Sequence, residues 1–290
     1  MQPGKGLETD RLRRIEGRHN SLLKELRQSF HRGELTAADE CAIEGFRIIE
    51  EAIRSGLKLR AVFVSESGRE RAARLLPQIG AHVDAVVVPD KLFASVVLSE
   101  TPQGLAALVR LKTYAIDQVL DHAEEGPLVA IAGIQDPGNL GTIFRSAEAF
   151  GAKGVLLGEG TVSVYNSKVV RASAGSIFRV PFTRVEIKTA IAEMRSHGIR
   201  LLATSSHKGR PLPEVDLRSK ASIFIGNEGA GIHKKLLSEM DELIMIPHSP
   251  RVESLNAGIA ASIVLYEAAR QKILFTTETR KHGETKADLC

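Results

Sequence analysis

Two polar side chains follow an apolar segment in the stretch QDPGNLGTIFR. Asn139 comes directly after an Asp-Pro-Gly turn, and Arg145 lies further along the helix that this turn is expected to start. Proline fixes φ and glycine permits a tight reversal, so the turn is typical of a strand-to-helix connection. Asn139 is a candidate helix N-cap, and Arg145 is a permanently charged group that can bind an anion or lie on a helix surface. The segment alone is compatible with a binding site or with an ordinary strand–turn–helix unit.

Two further segments combine carboxylate, hydroxyl and amide groups with small residues. The stretch IFIGNEGAGI carries Glu228 among three glycines, whose backbone N–H groups a ligand can approach closely. The stretch IPHSPRVESLNAG carries Ser254 and Asn256 at the expected start of a helix. Each residue has an ordinary alternative role as a helix cap, a surface carboxylate or a helix-start amide. Because each segment follows a predicted strand, we expect the three to converge at one edge of a sheet.

Several common site motifs are absent from the sequence. It contains neither a dinucleotide fingerprint nor a P-loop, and it lacks the patterns H-E-x-x-H, C-x-x-C and G-x-S-x-G. Ser205, Ser206 and His207 are neighbours in sequence, but adjacency is not the geometry of a catalytic triad. The sequence therefore argues against common dehydrogenase, kinase and hydrolase classes, and it predicts no metal site.

The three segments lie in a region of alternating strands and helices, residues 127–275. This alternation is typical of a mostly parallel sheet covered by helices on both faces. The predicted strands are 128–134, 154–158, 178–182, 200–204, 222–226 and 243–246. A long last helix is predicted over 254–274, and residues 276–290 are expected to form a polar tail.

The preceding part of the chain predicts a smaller α/β domain over residues 36–112, joined by a linker at 113–126. Its predicted helices and strands are 43–53, 69–78 and 91–97 (helices), and 61–64, 83–88 and 104–110 (strands). Residues 1–35 form a basic extension in which 1–10 are expected to be disordered and 11–33 to be helical.

Composition limits the class of protein. The chain has 290 residues, 43% of them hydrophobic, and a formal net charge of +4, which favours a polyanionic partner. No run is long and apolar enough to span a membrane, and the first residues lack the apolar stretch of a secretory signal. The two cysteines, Cys41 and Cys290, have no metal-type spacing, so we expect a protein of the reducing cytoplasm.

The order N-x-G-x-x-x-R, then G-N-E-G-x-G, then I-P-x(6)-S-L-N-x-x-x-A resembles the signature motifs of one known family. These are the SpoU (TrmH-like) RNA ribose 2′-O-methyltransferases of the SPOUT class, and the resemblance covers about residues 127–270. Upstream, IEGFRIIEEAI and TPQGLAAL resemble the small ribosomal-protein-like substrate-binding domain that often precedes this enzyme.

The resemblance implies a trefoil knot, bound S-adenosylmethionine, an RNA substrate and a homodimer with its active site at the subunit interface. It implies that main-chain groups near four residues hold the cofactor: Thr204, Gly226, Ile246 and Leu255. The residues it implies for catalysis are Arg145, Asn139, Glu228, Ser254 and Asn256. In the family pattern the arginine takes the 2′-hydroxyl proton, but arginine stays protonated in proteins, so Arg145 could instead clamp an RNA phosphate.

The substrate-binding domain favours ribosomal RNA as the substrate. The alternatives are a transfer RNA 2′-O-methyltransferase and a non-catalytic ribosome-associated or RNA-binding factor on the same fold. We further expect a division of labour in which residues 1–112 select the RNA and residues from about 127 hold the cofactor. A truncated chain that begins near Glu124 is then expected to fold and to bind the cofactor.

Overall fold

The structure is a computed structural model that describes residues 12–287, with side chains described as far as residue 273. The expectations for residues 1–10 and for Cys290 lie outside the described residues. The chain divides into two units. The first unit contains the residues up to Lys112 together with Ser163–Arg179, and the second contains Thr113–Val162 and the residues from Val180 onward.

The first unit is built on a mixed five-stranded sheet in the order β1-β4-β3-β5-β2. Strand β4 is parallel to β1 and β3, whereas β5 is antiparallel to β3 and β2. Its strands are β1 Arg13–Arg14, β2 Cys41–Glu44, β3 Lys58–Ser65, β4 Asp84–Val88 and β5 Leu105–Arg110. Its helices are α1 Ser21–Arg32, α2 Phe46–Arg54, α3 Arg69–Ala72, α4 Asp90–Ala94 and α7 Ser167–Ala172.

Three predicted helices of this unit are wrong in their bounds. The helix predicted over 43–53 begins only at Phe46, because the wholly buried segment 41–44 pairs with β5 as a strand and Gly45 turns the chain at φ 104°. The helix predicted over 11–33 begins at Ser21, because the Asn20 side chain caps it and Arg13–Arg14 pairs with β4. The helix predicted over 69–78 stops at Ala72, and a separate 3₁₀ turn spans Leu76–Gln78 around Pro77.

Residues 163–179 lie in the first unit, although the sequence analysis grouped them with 127–275. The Ser163 hydroxyl donates to the Gly33 carbonyl at 2.5 Å, and Arg179 Nη1 donates to Glu51 Oε2 at 2.7 Å. The strand predicted at 178–182 is displaced, because Ser176–Phe178 is a buried 3₁₀ turn. Pairing starts at Phe182, directly after Pro181, which has no N–H for a ladder bond.

The second unit contains a seven-stranded sheet in the order β10-β12-β9-β11-β6-β7-β8, with every neighbouring pair parallel. This confirms the predicted α/β fold with a parallel sheet. The strands are β6 Leu128–Ala132, β7 Gly154–Leu157, β8 Phe182–Arg184, β9 Arg200–Ser205, β10 Arg210–Pro211, β11 Ala221–Gly226 and β12 Glu242–Met245. The helices are α5 Ile116–Leu120, α6 Pro137–Ala149, α8 Ile187–Ser196, α9 Lys234–Leu237 and α10 Ala257–Ala287.

Helix α10 differs from the prediction at both ends. It starts at Ala257 rather than at 254, and it continues to Ala287, so most of the predicted polar tail is helical. Near its start it packs closely on α6: a Cβ on Gly258 would lie 3.2 Å from Thr142, and the hydroxyls of Ser146 and Ser262 are 2.6 Å apart. Over residues 12–287, no helix is long and apolar enough to cross a membrane.

Candidate active site

A cleft of about 480 Å³ opens in the second unit, where the loops after β9, β11 and β12 meet. Parallel strands end at the same sheet edge, so their following loops converge there. The cleft is lined by 204–207, 225–232, Ile246, His248, 253–255, Ala257 and Ala260. All four residues expected to hold the cofactor lie in this lining: Thr204, Gly226, Ile246 and Leu255. Glu228 and Ser254 lie there as well.

Asn227, which the sequence analysis did not select, shapes the glycine-rich loop. Its Oδ1 accepts from the N–H groups of Gly229 and Ala230 at 3.0 Å each. Its Nδ2 donates to the Gly133 carbonyl at 2.8 Å, which ties the loop after β11 to the end of β6. Asparagine followed by glycine within two residues is a known turn signal and could have identified it.

Glu228 joins the loop after β11 to the loop after β6. Its carboxylate accepts from the backbone N–H of Gln135 at 3.2 Å, from that of Asp136 at 3.1 Å, and from Asn139 Nδ2 at 2.9 Å. Asn256 Nδ2 in turn donates to Asn139 Oδ1 at 2.8 Å. Three residues that are distant in sequence therefore form one chain of hydrogen bonds, which we call the Glu228–Asn139–Asn256 network.

The helix caps differ from the expected ones. Asp136, not Asn139, caps α6, because its side chain accepts from the Asn139 N–H at 2.8 Å. Asn256, not Ser254, precedes α10, and its Oδ1 accepts from the Ile259 N–H at 3.1 Å. The Asn139 amide is consequently free of a capping role, and both of its polar atoms are used by the network.

The network favours an ionised Glu228. Burial raises the pKa of its carboxyl, but hydrogen bonds from the Asn139 amide and from backbone N–H groups lower it by more. The pKa of Glu228 therefore lies below its ordinary value. A carboxylate that accepts several N–H bonds is stabilised in its charged form.

Arg145 and Ser254 are less constrained. Arg145 lies on the exposed face of α6, outside the cleft lining, and within residues 12–273 it makes neither a hydrogen bond nor an ion pair. Ser254 is exposed at the cleft. The structure thus brings Glu228, Asn139 and Asn256 together and leaves the Arg145 guanidinium available to a ligand.

Comparison with known proteins covers both units. Residues 127–266 match the SpoU rRNA Methylase family, and residues 20–107 match the MRM3-like substrate binding domain. The chain is 30% identical over 286 residues to the 23S rRNA (uridine(2479)-2′-O)-methyltransferase of Streptomyces viridochromogenes, covering 96% of this chain and 99% of that one. It is 29% identical over 255 residues to the 23S rRNA (guanosine(2553)-2′-O)-methyltransferase RlmP of Bacillus subtilis, covering 88% and 98%.

Solved structures of similar proteins include cofactor complexes. The SpoU methyltransferase AviRb from Streptomyces viridochromogenes, in complex with the cofactor AdoMet, matches with a TM-score of 0.77 at 28% identity and covers 88% of this chain and 99% of that one. The AdoMet-bound rRNA methyltransferase from Sinorhizobium meliloti matches with a TM-score of 0.76 at 27% identity, covering 90% and 98%.

Proposed function

This chain belongs to the SpoU rRNA methylase family, and from that membership we propose that it methylates a ribose 2′-hydroxyl of ribosomal RNA with S-adenosylmethionine. The observation that carries the proposal is the Glu228–Asn139–Asn256 network beside a cleft that holds every residue expected for the cofactor. A ribosomal substrate also agrees with a cytoplasmic location, because ribosomes are found in the cytoplasm.

The cleft residues fit S-adenosylmethionine. Two carboxylates, Glu228 and Glu253, line the cleft, and none of the described lining residues is a lysine or an arginine. That charge balance suits the positive sulfonium and ammonium groups of the cofactor. Main-chain groups near Thr204, Gly226 and Ile246 would hold it. When bound, the cofactor supplies an electrophilic methyl group.

The residues of the chain position the acceptor and manage its proton. Glu228 fixes the loop before α6 by accepting from Gln135 and Asp136, and it orients the Asn139 amide. Holding reacting groups in line accounts for much of the rate of such a transfer. We assign Arg145 to an RNA phosphate next to the target ribose, since arginine stays protonated in proteins and Arg145 has no partner among residues 12–273. In this role the 2′-hydroxyl proton leaves to that phosphate or to water as the methyl group is transferred to the oxygen. Direct acceptance of the 2′-hydroxyl proton by Arg145 is the competing role.

In a homodimer that packs through α10, Arg145 of one subunit would contribute to the active site of the other. Ile259, Tyr266 and Ile273 are 53%, 55% and 66% exposed, and they recur every seven residues on one helix. A row of exposed large apolar side chains is typical of an interface. We propose that two copies pack through this row. Sedimentation at micromolar concentration should give one species of dimer mass, and Ile259→Asp should shift it to the monomer; a wild-type monomer contradicts the proposal.

A knot at the cleft is consistent with the strand order. Strands β11 and β12 come after β9 and β10 in sequence but lie on either side of β9 in the sheet, with β12 between β9 and β10. We propose that these insertions thread the loops around the cleft into the trefoil knot expected of the family.

The first unit is proposed to select the RNA, supported by the match to a substrate binding domain. Its Glu44–Gly45 and Gln103–Gly104 turns adjoin, since Gln103 Oε1 lies 3.0 Å from the position of a Cβ on Gly45. Exposed arginines flank them: Arg47 on α2, and Arg71, whose guanidinium lies 4.2 Å from the centroid of the Phe46 ring. Phosphate contacts from such residues would make RNA affinity fall steeply with salt.

The test of the activity is methyl transfer to defined RNAs. Labelled S-adenosylmethionine is incubated separately with unmodified 23S ribosomal RNA transcripts and unmodified transfer RNA transcripts, and alkali-resistant labelled dinucleotides are measured. The two named relatives act on different nucleotides, so the labelled position is then mapped. Label in transfer RNA alone would contradict the ribosomal substrate. No label in any RNA, from protein that binds the cofactor, would favour the non-catalytic alternative.

A further inference from the structure

Two histidines from different loops face one another in the cleft. His207 follows β9 and His248 follows β12, and these are neighbouring parallel strands. Their ring centroids are 6.2 Å apart with the planes tilted by 35°, and both residues line the cleft. In the sequence, His207 is notable only for following Ser205 and Ser206. In the structure, the ring of His207 lies beside a second imidazole. Within residues 12–273, it does not stand between a serine and a carboxylate, as the histidine of a hydrolase triad does.

The hydrogen bonds of the pair leave ring nitrogens for a ligand. His248 Nδ1 lies 2.6 Å from the Ile246 carbonyl, and since a carbonyl only accepts, Nδ1 is the donor. His248 Nε2 and both nitrogens of His207 make no hydrogen bond to residues 12–273, and no carboxylate of that range lies within 4.0 Å of either ring's nitrogens. Glu253, which lines the same cleft, is thus not an ion-pair partner of either histidine.

The histidine pair and Glu228 follow different strands of the sheet. The sheet order places β12 and β9, after which His248 and His207 come, on one side, and β11 and β6, after which Glu228 and Asn139 come, on the other. Two strand spacings of ~4.8 Å separate the centres of these regions, about 10 Å in all. An extended cofactor can therefore reach both regions at once.

We propose that His207 and His248 form an anion-binding subsite that takes a carboxylate or phosphate group, most directly the carboxylate of the amino-acid part of S-adenosylmethionine. This rests on the proposed function. The cofactor carries one anionic group, and the two imidazoles are the only side chains in the described lining that can carry positive charge. Each imidazole can donate an N–H to an oxygen, and it donates more strongly when protonated.

The test distinguishes binding of the carboxylate group from binding of the rest of the ligand. Dissociation constants are measured by calorimetry for S-adenosylhomocysteine, which keeps the carboxylate, and for 5′-methylthioadenosine, which lacks the amino-acid part. The variants are His207→Phe, which keeps a ring, and His248→Asn, whose amide can still donate to Ile246, together with the double variant. His82→Phe, an exposed histidine of the first unit, is the matched control.

The double variant should bind S-adenosylhomocysteine roughly 10- to 100-fold more weakly, as expected for loss of hydrogen bonds to a charged group, and 5′-methylthioadenosine unchanged. If cofactor-product affinity is unchanged but the KM for RNA rises and its salt dependence weakens, the anion is an RNA phosphate. The subsite is refuted if neither quantity changes, or if both nucleosides lose affinity equally. A wild-type protein that binds neither nucleoside contradicts the cofactor site as well as the subsite.

Discussion

Glu44 in the first unit and Glu228 in the second have similar sequence settings and different surroundings. Each stands at the end of an apolar strand and precedes a glycine, in AIEG and FIGNEG: Glu44 is the last residue of β2, and Glu228 comes two residues after β11. Glu44 is only 4% exposed, and it accepts from the Ser99 hydroxyl at 2.6 Å and the Gln103 N–H at 3.4 Å. Glu228 is exposed at the cleft and joins two loops through three donors.

A carboxylate at the end of a strand therefore becomes a site only where its hydrogen-bond partners leave one side of it open. The partners of Glu44 come from one loop that covers it, so its hydrogen bonds stabilise the fold. The partners of Glu228, by contrast, lie outside the cleft lining, while Glu228 itself lines the cleft and is exposed to a ligand there.

Arg145→Ala should lower kcat by about 10²- to 10⁴-fold if Arg145 acts on the proton or on the phosphate beside it, and cofactor binding should stay unchanged. Arg145→Lys should restore little, because a point charge does not replace a planar donor pair. In the first unit, Arg47→Ala should instead raise the KM for RNA a few-fold with kcat unchanged. Single-turnover methyl transfer checks both; near-normal turnover of Arg145→Ala would show that the assignment is wrong.

Glu228→Gln should mainly lower turnover, whereas Glu44→Gln should mainly lower stability. Glu228→Gln replaces one acceptor oxygen by a donor that faces N–H groups, so kcat should fall roughly 10- to 100-fold, a loss equivalent to one or two charged hydrogen bonds. Glu44→Gln should leave kcat unchanged and lower the free energy of unfolding by about 1–3 kcal/mol. Denaturant unfolding and turnover are measured on both. Equal loss of turnover in the two variants would remove the contrast.

The pH dependence of the network has a definite sign. The pKa of Glu228 is depressed in the folded protein, so its stabilisation is present above the unfolded value of about 4.3 and is lost as pH falls through the lower, folded value. Titration of Glu228 should therefore not change the affinity for S-adenosylhomocysteine between neutral pH and about pH 5. In the Glu228→Gln variant, the loss at lower pH should be smaller than in the wild type.

Residues 174 and 175 test whether 163–179 belongs to the first unit. Both have left-handed backbones, with φ 50° at Ala174 and φ 92° at Gly175, and a Cβ on Gly175 would lie 2.7 Å from Glu51 Cβ. Gly175→Ala should lower the free energy of unfolding by about 1–3 kcal/mol, from strain and overpacking. Ala174→Gly should be neutral or stabilising by up to about 1 kcal/mol. Cofactor affinity of the folded protein should not change in either; a selective loss in Gly175→Ala contradicts the grouping.

Treatment of Cys41 with iodoacetamide should have the smallest effect on turnover. Burial raises the pKa of its thiol to about 12, so folding stabilises the neutral form. Its contribution to stability is complete below the unfolded pKa of about 8.5 and is lost as pH rises toward 12. In a Cys290→Ser background, Cys41 should resist iodoacetamide at pH 8 and react fully in urea, with turnover unaffected by the treatment. Rapid labelling of the folded protein would show that the thiol is accessible.

The sequence predicted the parallel sheet because its strands are short, apolar runs between helices. Five of the six strands predicted for the second unit overlap the observed ones closely, and Glu228 and Ser254 line the cleft at one edge of the sheet, whereas Arg145 lies outside that lining. Strand β10, with two residues, and strand β1, also with two, have too few side chains to produce an alternating pattern. The network itself depends on pairings across 89 and 117 positions of sequence, which no local pattern encodes.

The polar linker predicts a boundary near 112, but no sequence pattern predicts the return of residues 163–179 to the first unit. Their apolar side chains, such as Val169 and Phe178, pattern like those of any buried helix and turn. The expectation that a chain truncated near Glu124 folds unchanged must therefore be revised. Such a chain retains 163–179 but lacks Gly33, Cys41 and Glu51, against which this segment packs in the first unit.

The same segment sets the order of events on the ribosome that makes this protein. Domains generally fold as units while they are synthesised, at ~5–20 residues per second. Here the first unit has to wait until residues 113–162 have been made before its last piece, Ser163–Arg179, is available. For several seconds the nascent chain exposes the surface that this piece covers, including the edge strand that carries Cys41. Slow codons or a chaperone acting within that interval would affect the first unit, although the delay is encoded in the middle of the second.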